Sequence, residues 1–106
     1  MIVTNGESVP GKRTVRALGV VTGNVVQAKH VGRDIMAGLK SLVGGEIEGY
    51  SELLSEARAR AHQRMVRAAQ ELGADGITNC RYTTSMIMQG MSEVLAFGTA
   101  VLLADE

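Results

Sequence analysis

Residues 80–91 read CRYTTSMIMQGM and hold the only cysteine of the chain and three of its six methionines. Thiolate and thioether sulfur are soft donors, suited to ions such as Cu(I). Six residues of strand separate Cys80 from Met86, roughly 20 Å at ~3.3 Å per residue, so the two cannot share one ion within one hairpin. Met86, Met88 and Met91 lie closer together, at the hairpin tip, where three thioethers could hold a soft ion. No cysteine or histidine stands beside them in sequence. Adaptable filling of a packed or intersubunit surface is therefore the simpler use of these methionines. Cys80 reads the same way, as a buried and inert thiol.

Harder donors are few. His30 follows a strand, and Asp34, Glu46 and Glu48 could complete a site with it, while His62 stands alone on a helix. No HxxxH, HExxH or CxxC spacing joins any of these residues. Arg60, Arg64 and Arg67 form a ridge at helical spacing that could meet an anion or RNA. Glu56 stands four residues before Arg60, which favours a solvated face laced by an ion pair. The glycine pairs follow neither a GxGxxG nor a Walker pattern, and no GxSxG elbow marks a nucleophile. An enzyme is thus the least favoured reading.

These residues need elements to hold them. Residues 2–4 suggest a short strand, followed by a turn at Pro10-Gly11. The Val-rich segment 15–29 reads as a long strand, and Gly19 and Gly23 within it suggest a bulge or a close backbone approach. A short helix is expected over 31–43, ended by Gly44-Gly45. A long helix is expected from Ser51, as N-cap, to Leu72, with Gly73 at its C′ position. Leu54, Ala57, Ala61, Met65, Ala68 and Leu72 would line its buried face. Two strands follow, 75–88 and 91–104, around a two-residue turn at Gln89-Gly90. The order β-α-α-β-β predicts one α+β domain over residues 1–106, with an antiparallel sheet and helices on one side.

Pairing back from that turn sets Met88 against Met91, Met86 against Glu93, Thr84 against Leu95, Tyr82 against Phe97 and Cys80 against Thr99. These pairs share one face, the expected seat of the helix. The opposite face would carry Ile77, Arg81, Ser85, Val94, Ala96 and Ala100, small or apolar residues poorly suited to water. A second subunit is the natural cover for it, and open strand edges can pair between subunits too.

Bulk composition narrows the partners. Acidic and basic side chains number 11 each, so the net charge is zero and no global field draws nucleic acid or an anionic membrane. A single cysteine fits a reducing compartment, and no apolar run approaches the ~20 residues of a membrane span. A soluble cytoplasmic protein is expected.

The segments GVVTGNVV, GRDIMAGLKSLVGGEIEGYSELLSEAR, ELGADGITN and FGTAV together resemble the YbjQ-like family of small bacterial and archaeal proteins, over nearly the whole chain. The resemblance implies a dodecin-subunit-like fold and a ring-shaped homopentamer. It also brings the family's label of heavy-metal-binding domain, with no ligand residues attached to that label. The matching positions are Arg33, Asp34, Glu46, Tyr50, Glu56, Arg58 and Asp75, with Gly44, Gly45, Gly73 and Gly98. Arg33 and Asp34 read as assembly residues: Asp34 in a first helical turn meets the helix dipole, and Arg33 could pair across a subunit boundary. Cys80 lies in ITNCRYTT, where the family is commonly Val- and Gly-rich, so the family motif does not supply it. The expected function is a small oligomeric binding protein, taking a metal ion or small ligand at subunit interfaces. The alternative is a homopentameric scaffold without a ligand.

Overall fold

The computed structural model describes residues 1–28 and 47–106. Strands β1 (Ile2–Val3) and β2 (Lys12–Ala28) precede helix α1 (Ile47–Glu71), and β3 (Gly76–Met88) and β4 (Met91–Asp105) follow it. The four strands form one sheet in the order β1-β3-β4-β2. The expected helix over 31–43 lies outside the described residues. The fold is α+β, as expected, but the sheet is mixed: β1 runs parallel to β3, while β2 and β3 both run antiparallel to β4.

Helix α1 starts at Ile47, so Ser51 is an interior position and not the N-cap. At the other end Gly73 adopts φ +78°, the Gly73 amide donates to the Gln70 carbonyl, and the Ala74 amide donates to the Ala69 carbonyl. That pair of bonds is a Schellman ending, which occupies carbonyls the last turn would otherwise leave open. The buried stripe is Ala57, Ala61, Met65 and Ala69. After Met65 the stripe continues through Ala69, with the expected Ala68 only half-buried beside it, while Leu72 lies past the last helical residue and is 51% exposed.

Small residues on this stripe bring helix and sheet into near contact. A Cβ on Gly23 would fall 2.2 Å from the Ala61 carbonyl oxygen and 2.4 Å from the Met65 amide nitrogen. Only a residue without a side chain fits between them. Val21 and Val25 flank Gly23 on the same face of β2, and with Val94, Ala96 and Ala100 of β4 they complete the core against α1. Met65 is fully buried at its centre and contributes about 2 kcal/mol through the apolar surface it removes from water.

The expected pairing between β3 and β4 is corrected by two irregularities in β3. The turn at Gln89-Gly90 does set Met88 against Met91, but Ile87 is then an extra residue, and Met86 pairs with Ser92 instead of Glu93. From there Thr84 pairs with Val94 and Tyr82 with Ala96. A second irregularity lies between Thr78 and Arg81, where Asn79 takes φ +54° and Cys80 follows. Opposite it, a Cβ on Gly98 would meet Ile77 Cγ2 at 2.5 Å, so Gly98 gives the bulge its room.

A slip of one residue exchanges the faces of a strand. Val94, Ala96 and Ala100 therefore lie under the helix, on the face that sequence reasoning had left to a second subunit. The outward face carries Val20, Thr22, Asn24 and Val26 of β2, Leu95, Phe97 and Thr99 of β4, and Arg81, Thr83 and Ser85 of β3. Both Ile77 and Cys80 are buried in the main core, because the bulge between them restores the inward direction.

Candidate functional site: the seam between helix and strand β3

Two periodicities bring donors to this seam. His62 follows Ala61 on α1, and so stands at the border of the buried stripe, half-exposed. On β3, Cys80 and Tyr82 are two residues apart and point the same way. Cys80 is 5% exposed, within the core, whereas Tyr82 is 45% exposed. The Tyr82 hydroxyl lies 2.6 Å from His62 Nδ1, and the two rings stack with centroids 6.2 Å apart and an interplanar angle of 20°. Burial pushes the Tyr82 phenol up to about 12; the neighbouring Cys80 thiol adds to the rise, and the Arg58 guanidinium opposes it. Arg58, one turn before His62, donates to Ser55 Oγ at 3.2 Å.

Other sequence candidates separate. Met86 and Met88 are 79% and 59% exposed, and Met91 is half-buried at the same hairpin tip. The helix ridge is divided: Arg64 donates to the Asn24 carbonyl at 2.6 Å, tying α1 to β2, while Arg60 and Arg67 are exposed. The expected Glu56–Arg60 ion pair is not formed; among the described residues the ion pair is Lys12–Asp105, 2.6 Å, at the paired ends of β2 and β4. Asp75 Oδ2 accepts from the Leu103 amide at 2.9 Å, and the Asp75 amide donates to the Val101 carbonyl. His30, Arg33, Asp34, Gly44, Gly45 and Glu46 lie outside the described residues, as do the side chains of Glu48 and Tyr50, which fall in the first turn of α1.

Sequence reasoning missed two residues. Tyr82, expected opposite Phe97, pairs with Ala96 and meets His62 across the seam. Arg81 donates to the Asn5 carbonyl at 2.6 Å and holds the N-terminal segment against β3. A shallow groove of about 450 Å³ also runs along α1 beside His62, between Met1, Val3, Val66 and Arg67.

A profile of the YbjQ family, described as "Putative heavy-metal-binding", matches residues 1–104. The chain belongs to this family. YbjQ relatives extend across bacteria and archaea. A UPF0145 protein of Psychromonas ingrahamii is 63% identical over 103 residues, covering 97% of this chain and 98% of its own. A UPF0145 protein of Vibrio parahaemolyticus is 60% identical over 105 residues, 99% of this chain and 100% of its own. That of Archaeoglobus fulgidus is 55% identical over 103 residues, 97% of this chain and 95% of its own. A crystal structure from Pediococcus pentosaceus, of a protein of unknown function in the DUF74 family, superposes with a TM-score of 0.69 at 19% identity, covering 98% of each chain. That likeness shows the fold.

The family description makes the donor set worth testing. Among the described residues no three His, Cys, Asp or Glu side chains converge on one point. Nitrogen and oxygen do meet at His62 and Tyr82, with Cys80 two residues before Tyr82 on the same strand. Thiolate and imidazole are zinc-type ligands, so the residue types fit a heavy metal even though the set is short of a closed structural site. No helix among the described residues is long and apolar enough to cross a membrane.

Proposed function

We propose that this YbjQ-family chain is the subunit of a closed homo-oligomeric ring in the cytoplasm, and that the ring binds a metal ion or small ligand where subunits meet. One observation carries the assembly half of this reading. Among the described residues, the outer edge of β2 and the edge of β3 beyond Cys80 have no strand partner. These are two different edges of one sheet. An edge of one copy can pair with the other edge of the next, a head-to-tail contact that closes into a ring when the rotation allows. The outward face adds to the case, since Val20 is 73% exposed and Val26 is 49% exposed. The number five and the dodecin-like comparison come from the family resemblance.

Support for the metal half is the family description and the donors at Cys80 and His62. Binding, and not catalysis, is the activity proposed. The scaffold alternative draws on a specific observation too: the absence, among the described residues, of three converging His, Cys, Asp or Glu side chains.

Sedimentation velocity tests the assembly. The wild-type chain should sediment well above its 11.2 kDa subunit mass, and Val20→Lys with Val26→Lys should shift it towards the subunit. A wild-type chain that sediments as a monomer at micromolar concentration would contradict the ring. Elemental analysis of the same fractions separates the two readings: metal at a fixed ratio favours the binding protein, and its absence favours the scaffold.

A further inference from the structure

Residues 4–6 lie along β3 as a strap. The Cys80 amide donates to the Thr4 carbonyl at 3.0 Å, and the Asn79 amide donates to the Gly6 carbonyl at 2.9 Å. Between these two anchors lies the peptide bond from Asn5 to Gly6, and both of its polar atoms are held. Arg81 Nη1 donates to the Asn5 carbonyl oxygen at 2.6 Å, and the Gly6 amide donates to Thr4 Oγ1 at 3.1 Å. Asn5 is exposed, so water reaches its side chain.

These contacts bear on one reaction. A backbone nitrogen that loses its proton can attack the side-chain carbonyl of the asparagine before it, and a glycine in that place has no Cβ to block the approach. Asparagine is among the thermolabile residues for this reason. Negative charge on the Gly6 nitrogen is shared with the Asn5 carbonyl oxygen. That oxygen is the one the Arg81 guanidinium holds, and a cation placed where charge develops favours the step. The other asparagines lack this arrangement: Asn24 is followed by Val25 and Asn79 by Cys80, whose side chains crowd the nitrogen.

We infer that Asn5–Gly6 is a site of spontaneous backbone modification, where asparagine becomes isoaspartate and the strap loosens from β3. The Gly6 nitrogen gives its proton to solvent and forms a bond to Asn5 Cγ. The Cγ–Nδ2 bond breaks, and Nδ2 takes a proton from solvent and leaves as ammonia. The product is a succinimide ring, in which the Gly6 nitrogen is bonded to both carbonyl carbons of residue 5. Water then adds to one of these carbons. Arg81 polarises the α-carbonyl, so water is steered there, and the bond from that carbon to the Gly6 nitrogen breaks. The chain now runs through Cβ and Cγ, one methylene longer. The new α-carboxylate stays beside the guanidinium as a charge-assisted pair. No oxidant or reductant takes part. The longer link cannot keep both carbonyl anchors in register with Asn79 and Cys80. The modification needs neither a metal nor a second subunit.

Incubation of the untagged full-length protein in warm, mildly alkaline buffer tests the site by mass spectrometry. Wild type should gain one mass unit. Its tryptic peptide ending at Lys12 should carry the gain as isoaspartate, in a higher ratio to aspartate than the urea-unfolded chain gives. Gly6→Ala should slow the gain at least several-fold; a Cβ there meets no atom closer than 3.6 Å, so this variant is expected to fold. Arg81→Gln should slow conversion and lower the isoaspartate ratio, and Arg81→Lys should restore part of it. In converted protein Cys80, 5% exposed at the outset, should react faster with a thiol reagent, because the strap covers its edge of β3. Wild type that keeps its mass while the urea-unfolded chain converts would overturn the site. An Arg81→Gln chain that converts as fast as wild type or faster, with the same product ratio, would overturn the part given to Arg81. An unchanged Cys80 rate in fully converted protein would overturn the loosening.

Discussion

Tyr82 shows how one side chain couples three elements of chemistry. Its hydroxyl is engaged by His62, its ring covers the seam, and its neighbour on the strand is the only thiol. Burial raises the phenol from an ordinary value of 10.0 to about 12. The fold therefore favours the neutral phenol. Its contribution to stability is fully present below about pH 10 and is lost as the pH rises from 10 towards 12. Tyr82→Phe should flatten that part of the alkaline stability profile, read as the urea midpoint of each chain across this range. Parallel profiles for the two proteins would show that the hydroxyl is not engaged in solution. Asp75 belongs to the same scale. It holds the Leu103 amide from an exposed position, so Asp75→Ala should reduce stability by about 1 kcal/mol, measured by denaturant unfolding. Residue types made Cys80 and His62 visible as donors. The meeting of His62 with Tyr82 was not visible, because it depends on which turn of α1 crosses which residue of β3. That crossing is set by Gly23 and the alanine stripe on α1.

At the scale of elements, the sheet was legible in outline and misread in register. Valine-rich runs, the Gln89-Gly90 turn and the Ala-rich helix face each have a local cause, and each is found close to its expected place. The two bulges in β3 have almost none. Ile87 is a good strand residue, and nothing in its type marks it as extra. Asn79 carried the one usable signal, since asparagine is among the few non-glycine residues that accept a positive φ. Missing these irregularities exchanged the faces of β4 and so moved the helix to the wrong side of the hairpin. The close approach at Gly23 gives a direct check on the corrected arrangement. Gly23→Ala would drive a methyl group into the Ala61 carbonyl and the Met65 amide. It should destabilise the fold by on the order of 3 kcal/mol or more, read from thermal and denaturant unfolding. An unchanged melting temperature would mean that α1 does not cross β2 there.

At the scale of the whole molecule, one helix among the described residues covers one face of a sheet drawn out by its long hairpin, with extents of 55 × 22 × 16 Å. Among the described residues a sheet face and two edges stand open, and a small chain of that kind gains most from meeting copies of itself. The sequence pointed to assembly through the wrong face: it offered Val94 and Ala96 to a partner, and these lie beneath the helix. The corrected outward face still carries Val20, Val26, Leu95 and Phe97. Native mass spectrometry of the protein, purified without an affinity tag or chelator, tests the central claim most directly. The predicted result is a five-subunit mass with added metal at a fixed ratio to the subunits. A bare five-subunit mass would leave the scaffold in place of the binding protein, and a monomer mass at micromolar concentration would contradict the ring itself.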